Sequence, residues 1–166
     1  EQVLAGPIVR ELRMRKDAAE VDALRKAGAA IDRVHARVAD LLRAGRTEAE
    51  VGADIAAAIV EEGHAEADFV IVGSGPNGAS PHHDVSDRVI ESGDVVVVDI
   101  GGPLPEGYNS DSTRTYSVGE PRDADVAAVA RSTTSSRRSG AMWNSKRPDS
   151  ILARSRRSLM SAVRRT

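Results

Sequence analysis

The sequence predicts an α+β domain in which two helices pack on an antiparallel sheet. Three observations lead to this class. As far as Gly63, apolar residues recur every three or four positions, which is the spacing of a helix. After Gly63 this spacing ends, and short apolar runs rich in β-branched residues follow between turn residues. Helices that precede strands, instead of alternating with them, are typical of the α+β class. The 166 residues are 40 % hydrophobic and 29 % charged, which fits one folded domain and excludes a wholly disordered chain.

A long amphipathic helix is predicted from Lys16 onward. Its apolar positions form a single stripe, and Gly45 is placed to end it. The stripe consists of Val21, Leu24, Ile31, Val34, Val38, Leu41 and Leu42. The preceding residues 1–15 are predicted to be a leading segment, because Pro7 breaks any helix there early.

A second helix is predicted to begin at Thr47. Thr47 and Glu50 are spaced as a capping box, in which each side chain satisfies a free backbone amide at the helix start. Gly63 is placed to end this helix. Its buried stripe is predicted to consist of Val51, Ile55 and Ile59.

Three strands are predicted near residues 68–73, 94–100 and 110–118. The first is a short apolar run before a Gly- and Pro-containing loop, and the second is a run of four valines after the turn residues Ser92-Gly-Asp. The third alternates polar and apolar residues. Residues 101–109 are predicted to be a loop, so that the second and third strands form a hairpin.

The distribution of charge separates the last 36 residues from the rest. From Arg131 onward there are nine Arg and one Lys against one Asp, which gives this segment a charge of +9. Because the net charge of the whole chain is −2, the preceding 130 residues carry a charge of −11. Half of this segment is Ser or Arg, without a sustained apolar period. We assign residues 16–130 to the folded domain and predict that residues 131–166 are a tail, either disordered or translated out of frame. A genuine basic tail that binds nucleic acid or an acidic partner is the alternative.

Two aspartates carry the chemistry that the sequence suggests. Asp99 ends the valine strand and Asp111 lies on the next strand, so a hairpin would bring the two carboxylates face to face. Adjacent carboxylates repel and raise one pKa unless a cation intervenes, and a divalent metal ion prefers such oxygen ligands. Cysteine is absent, which excludes thiolate ligands. From the spacing alone, a turn-capping Asp99 and a solvated Asp111 are the favoured explanation, because paired aspartates near a glycine turn are common in hairpins.

The residues around this pair resemble a known enzyme family. The segments Asp99-Ile-Gly and Gly107-Tyr-Asn-Ser-Asp-Ser-Thr-Arg-Thr, with Gly73-Ser-Gly-Pro-Asn-Gly-Ala-Ser-Pro-His-His upstream, resemble the motifs of the pita-bread metallopeptidases. The Ser-Gly-Pro-Asn segment is most similar to the Xaa-Pro dipeptidase (prolidase) and Xaa-Pro aminopeptidase branch. The resemblance covers about residues 8–121. It implies that the predicted α+β domain is the first half of a pita-bread fold.

The resemblance also implies a mechanism and its residues. The family holds two divalent metal ions (manganese, cobalt or zinc) with two Asp, one His and two Glu, and a metal-bound hydroxide hydrolyses the N-terminal bond of short peptides with Pro at the second position. Asp99 and Asp111 match the Asp pair of metal ligands. His82 matches a catalytic residue that contacts the substrate and stabilises the tetrahedral intermediate, and His83 is a candidate substrate-pocket residue. His35 and His64, on or beside helices, are expected to be solvated.

Two departures from the family pattern affect the predicted activity. Asp99 and Asp111 are twelve positions apart instead of the usual eleven, which a longer loop accommodates. More seriously, no histidine follows His83 and no glutamate follows Glu120, so three ligands have no counterpart. We therefore expect the second half of the fold to be missing and the chain to be an inactive truncated or frameshifted remnant. A non-catalytic pita-bread binding module and a creatinase-like hydrolase are the alternatives.

The remaining expectations concern location and partners. No apolar run is long enough for a membrane helix, and no signal-peptide pattern begins the chain. With the absence of cysteine, this predicts a cytoplasmic protein without a membrane partner. A nucleic-acid partner is not expected, because only Trp143 supplies an aromatic ring in the basic segment. The resemblance implies short peptides as substrates and, in many family members, a homodimer.

Overall fold

The computed structural model describes residues 5–122 and 154–155 of the chain. Its helices are α1 (Gly6–Met14), α2 (Ala18–Leu41) and α3 (Glu48–Glu61). Its strands are β1 (Phe69–Ser74), β2 (Val95–Pro103), β3 (Asn109–Ser117) and the two-residue β4 (Arg154–Ser155). A 3-10 turn, Gly75–Ala79, follows β1. The predicted α+β class is confirmed.

Helices α2 and α3 begin with the same device, a capping box. The Asp17 carboxylate accepts the backbone N–H of Glu20, whose side chain accepts the N–H of Asp17 in return. Thr47 and Glu50 form the same reciprocal pair at the start of α3, as predicted. Each box satisfies two amide groups that a helix start leaves without partners, so both helices begin within two residues of the positions that the sequence predicted.

The prediction that Pro7 breaks any helix in residues 1–15 is wrong. Pro7 lies in the first turn of α1, where the N–H that proline lacks would have had no intrahelical partner. None of the residues of this helix is buried. Its large apolar side chains are exposed, namely those of Ile8, Val9, Leu12 and Met14.

The strands form one antiparallel sheet in the order β1-β2-β3-β4. Strand β2 extends to Pro103, so the predicted loop over residues 101–109 is shorter than expected. The glycines at its end serve close packing and not a turn, because a Cβ on Gly101 would lie 2.3 Å from the carbonyl oxygen of Ser110. The turn itself is closed by hydrogen bonds between Leu104 and Tyr108 and between Gly107 and Leu104.

The core lies between the two long helices and one face of the sheet. Because side chains alternate along a strand, the residues at even-numbered positions of β2 and β3 face the helices. The cluster contains Val34 and Val38 of α2, the predicted stripe of α3, and Val96, Val98, Ile100 and Tyr116 of the sheet. The opposite face of the sheet carries Asp99 and its neighbours at half-buried positions.

Most of the predicted tail, and with it the alternatives proposed for residues 131–166, lies outside the described residues. Of that segment, Arg154 and Ser155 pair antiparallel with Thr115 and Arg114 of β3. In the part of the chain that the structure describes, no helix has both the length and the apolar composition that a membrane crossing requires.

Candidate active site

The two predicted metal ligands lie on the same face of the β2–β3 hairpin. Asp99 pairs with Thr113 across the strands, and Asp111 pairs with Gly101. The two aspartates are therefore diagonal neighbours on the face that points away from the helices. Asp99 is half-buried and Asp111 is exposed, so both carboxylates border one surface that solvent can reach. The predicted hairpin is present, but the two aspartates are diagonal neighbours and not face to face as expected from the sequence.

The electrostatics of this face favour a cation. Partial burial, followed by the negative charge of Asp99, raises the pKa of the Asp111 carboxyl. Thr113 donates its hydroxyl proton to Oδ1 of Asp99 over 2.6 Å, which orients that carboxylate. Two carboxylates that repel each other, one of them held in place, form part of a donor set suited to a hard divalent ion.

Two buried histidines support the strand on either side of Asp111. His64 contacts Ser110, with its Nε2 atom 2.7 Å from the serine hydroxyl and its Nδ1 atom 3.0 Å from the carbonyl oxygen of Ile59. A carbonyl accepts only, so Nδ1 carries the proton and Nε2 accepts from the serine. Burial lowers the pKa of His64, which keeps it neutral in this role.

His35 performs the same task on the other side of Asp111. Its Nε2 atom donates to the carbonyl oxygen of Ser112 over 3.1 Å, and its Nδ1 atom lies 2.8 Å from the Tyr116 hydroxyl. Burial, and then the positive charge of Arg114, lowers the pKa of His35 to about 4. The neutral ring therefore links α2 to the strand that carries the aspartate.

The expectation that His35 and His64 are solvated is wrong. Their residues are 5 % and 3 % exposed, respectively. One signal was available in the sequence: His35 lies four positions after Ile31 on the apolar stripe of α2. No comparable signal marks His64, which follows the glycine that ends α3.

A buried carboxylate that sequence reasoning missed organises the loop containing the other two candidate residues. Glu48, the first residue of α3, is completely buried. Its oxygens accept hydrogen bonds from the backbone and hydroxyl of Ser74, the amide of Asn77, the ring of His83 and the hydroxyl of Ser86. Burial alone would raise the pKa of Glu48, but hydrogen bonds from Ser86, Ser74 and His83 hold it at about 2.

The two loop histidines have different surroundings. His83 points its Nε2 atom at the Glu48 carboxylate, 2.8 Å away, so its ring is engaged within the loop. His82 is exposed in the turn before it. Within residues 5–122, no hydrogen bond or ion pair joins His82 to Asp99 or Asp111, so its predicted role stays a prediction.

The described residues contain two of the predicted metal ligands. Asp99 and Asp111 are hard oxygen donors on one face, which fits the ligand chemistry that the sequence predicted. Among residues 5–122, no three side chains of His, Asp or Glu form a group that could hold a metal ion. The assignment of the carboxylate pair as metal ligands therefore stays a prediction.

Comparison with known proteins connects this arrangement to a family. The sequence profile of metallopeptidase family M24 matches residues 22–143. The probable dipeptidase PepE of Mycobacterium tuberculosis is 69 % identical over 125 residues, which cover 75 % of this chain and 33 % of that protein. The Xaa-Pro dipeptidase of Pyrococcus furiosus is 35 % identical over 117 residues, which cover 70 % of this chain and 33 % of that protein.

Solved structures show the same relationship. The crystal structure of dipeptidase PepE from Mycobacterium ulcerans matches with a TM-score of 0.72 and 67 % identity, over 76 % of this chain and 34 % of that one. Prolidase from Pyrococcus furiosus matches with a TM-score of 0.68 and 33 % identity, over 73 % of this chain and 36 % of that one. The chain spans about a third of the length of these relatives.

Proposed function

Because this chain belongs to metallopeptidase family M24, we propose that it carries the aspartate pair of a metal-dependent exopeptidase site that cleaves the N-terminal Xaa-Pro bond of short peptides. The family resemblance and the partial pita-bread fold are confirmed by the matches to dipeptidase and prolidase structures. The observation that carries the proposal is the position of Asp99 and Asp111 on one hairpin face, with the pKa of Asp111 raised by partial burial and by the charge of Asp99.

In this proposal each residue has a separate task. Asp99 and Asp111 would hold divalent cations of the manganese, cobalt or zinc type, and Thr113 fixes one oxygen of Asp99 by its 2.6 Å hydrogen bond. Such cations, when bound, supply Lewis acidity and lower the pKa of water toward neutrality. His82 would donate a hydrogen bond to the carbonyl oxygen of the scissile peptide bond as negative charge develops there.

We further propose that these 166 residues alone do not turn over Xaa-Pro dipeptides. The sequence has no histidine after His83 and no glutamate after Glu120 to complete the five-ligand set that the family resemblance implies. Two carboxylates alone leave the cations loosely held, and an imprecisely placed reacting centre can cost on the order of a hundredfold in rate from misplacement alone.

Metal binding and activity test separate parts of the proposal. Titration with Mn²⁺, followed by electron paramagnetic resonance, should show weak binding that is lost in Asp99→Asn and in Asp111→Asn. The matched control is Asp40→Asn, which removes an exposed carboxylate of α2. Equal Mn²⁺ binding by all four proteins would refute the assignment of the aspartate pair.

The activity arm uses Xaa-Pro dipeptides with added manganese or cobalt. No turnover is expected. Robust turnover that disappears in Asp99→Ala would show that the remaining ligands come from elsewhere, such as a second subunit, and would overturn the proposed inactivity.

Dipeptide binding without turnover, measured by calorimetry, would favour the non-catalytic binding module, which the incomplete ligand set supports as the second candidate. Cytoplasmic localisation and a homodimer remain proposals that cell fractionation and gel filtration can check.

A further inference from the structure

The buried carboxylate of Glu48 requires an explanation that the metal site does not provide. It lies on the far side of the sheet from Asp99, at the start of α3, and no solvent reaches it. A carboxylate removed from water is costly unless hydrogen bonds replace its hydration. The Glu48 carboxylate receives such bonds from four residues of the segment that follows β1, namely Ser74, Asn77, His83 and Ser86.

The bonds to Glu48 are arranged on both sides of His82. Before it in the chain, Ser74 at the end of β1 donates through its N–H and its hydroxyl, both over 2.7 Å, and Asn77 of the 3-10 turn donates over 3.1 Å. After it, His83 donates over 2.8 Å and Ser86 over 2.6 Å. His82 therefore lies between two arms of one loop, the earlier arm of residues 74–77 and the later arm of residues 83–88, and both arms donate hydrogen bonds to the Glu48 carboxylate.

Backbone bonds add a second attachment between the same elements. The N–H of Glu48 donates to the carbonyl of Arg88, and the N–H of Ala49 donates to the carbonyl of Ser86. These bonds use amide groups of the first turn of α3 that have no partner within the helix. The later arm of the loop is thus held to α3 by backbone and by side chain together. The two arms also contact each other directly, because Asn77 donates to the Ser86 hydroxyl over 3.4 Å and Arg88 donates to the Ser74 hydroxyl. Glu48 accepts bonds from both arms and lies between them.

We propose that Glu48 is the positioning residue for His82, and that His83 is the arm through which it acts and not a residue of the substrate pocket. The inference rests on the proposed function for the role of His82 and deepens it. The ionised Glu48 carboxylate is essential to the arrangement because both of its oxygens act only as hydrogen-bond acceptors there. In Glu48→Gln one oxygen becomes an NH₂ group, which places a donor against a donor without changing the size of the side chain.

The test is a comparison of loop order in solution, which depends neither on metal nor on activity. Amide hydrogen exchange of residues 77–80 and 82–85, which have backbone N–H groups, and the ¹⁵N resonances of the His82 and His83 rings are measured in the full chain. The variants are Glu48→Gln and His83→Gln, with Glu66→Gln as a control for an exposed acid. Loss of one hydrogen bond should accelerate exchange across the loop by about tenfold.

The expected result includes a signature that general destabilisation does not produce. In Glu48→Gln the hydrogen-bonded Nε2–H resonance of His83 should disappear and the His82 ring should become mobile, while protection of α2 stays unchanged. His83→Gln should accelerate amide exchange in the later arm alone. If Glu48→Gln does not fold, the exchange measured in His83→Gln tests whether the contacts to Glu48 position His82. Unchanged exchange and unchanged His82 resonances in the folded variants would overturn the proposal, as would a His83 ring that responds to added Xaa-Pro dipeptide in the parent chain. Failure of Mn²⁺ binding at Asp99 and Asp111, by contrast, would refute the proposed function and leave the loop result standing.

Discussion

Acidification from pH 7 to pH 5 should destabilise this protein through His35. The ring lies between α2 and β3, where Ser112 and Tyr116 bond it and where the charges of Arg114 and Asp32 act on it in opposite directions. The pKa of His35 is about 4 in the folded chain and 6.5 without the fold. Because the folded pKa is the lower one, the unfolded chain binds more protons between these values. The full stability is present above pH 6.5 and is lost progressively as the pH falls toward 4.

The size of the effect follows from the shift. Each pKa unit corresponds to about 1.4 kcal/mol, so a change from 6.5 to about 4 amounts to roughly 3 kcal/mol once acidification is complete. At pH 5 about 2 kcal/mol should be lost. His64, whose pKa burial also lowers, adds in the same direction. The folded pKa of Glu48, about 2, lies below its usual 4.5, so the stability that Glu48 contributes is lost mainly as the pH falls below 4.5. Measurements at pH 7.5 and pH 5 therefore leave the contribution of Glu48 almost unchanged.

The assay is urea denaturation followed by far-ultraviolet circular dichroism at pH 7.5 and at pH 5. The parent chain should lose stability between the two conditions, and His35→Gln, which cannot titrate, should lose much less. His82→Gln is the control, because His82 is exposed and should leave the difference unchanged. An equal loss in the parent chain and in His35→Gln would refute the reasoning, since the acid sensitivity would then arise elsewhere.

Two further changes test the packing and the helix starts. A Cβ at Gly101 would lie 2.3 Å from the Ser110 carbonyl oxygen, so Gly101→Ala should lower the unfolding free energy by about 1–3 kcal/mol. A Cβ at Gly28, inside α2, would meet no atom within 4 Å apart from the neighbouring backbone of its own helix, so Gly28→Ala should raise the unfolding free energy by about 0.5–1 kcal/mol. The opposite order in urea titrations would contradict the described packing. Thr47→Ala removes the cap of α3 and should cost about 1 kcal/mol, whereas Thr47→Ser keeps the hydroxyl and should cost little. Equal losses in the two Thr47 variants would show that the cap bond does not stabilise the helix.

The elements themselves could be predicted because their signals are local. The capping boxes at Asp17 and Thr47 lie within four residues, and the buried stripes repeat within one or two helical turns. Pro7 was misread because proline breaks a helix when it lies in the interior but is well tolerated in the first turn, where Pro7 lies. The end of β2 was misplaced because glycine serves both turns and close backbone contacts, and local sequence does not distinguish the two.

The aspartate pair was also within reach of the sequence. Alternation along the strands, together with a register that pairs Asp99 with Thr113, places Asp99 and Asp111 on one face of the hairpin. This result does not depend on the exact length of β2, because the register keeps both residues on the side away from the helices. The family motifs then assigned a chemistry to a geometry that spacing alone left open.

Sequence by itself therefore determined helices α2 and α3, strands β1 to β3 and the hairpin that carries the two aspartates, while only the tertiary structure decided which polar groups are buried and what they contact. Glu48 meets partners 26 to 38 positions away, His64 meets Ser110 across 46, and His35 meets Ser112 and Tyr116 across 77 and 81. In the sequence, Glu48, His64 and His35 are polar residues of the kind that usually lies at the solvated surface. Their roles depend on how α2 and α3 lie on the sheet, because a hydrogen bond contributes most where water is excluded, and that exclusion arises only when distant elements pack together.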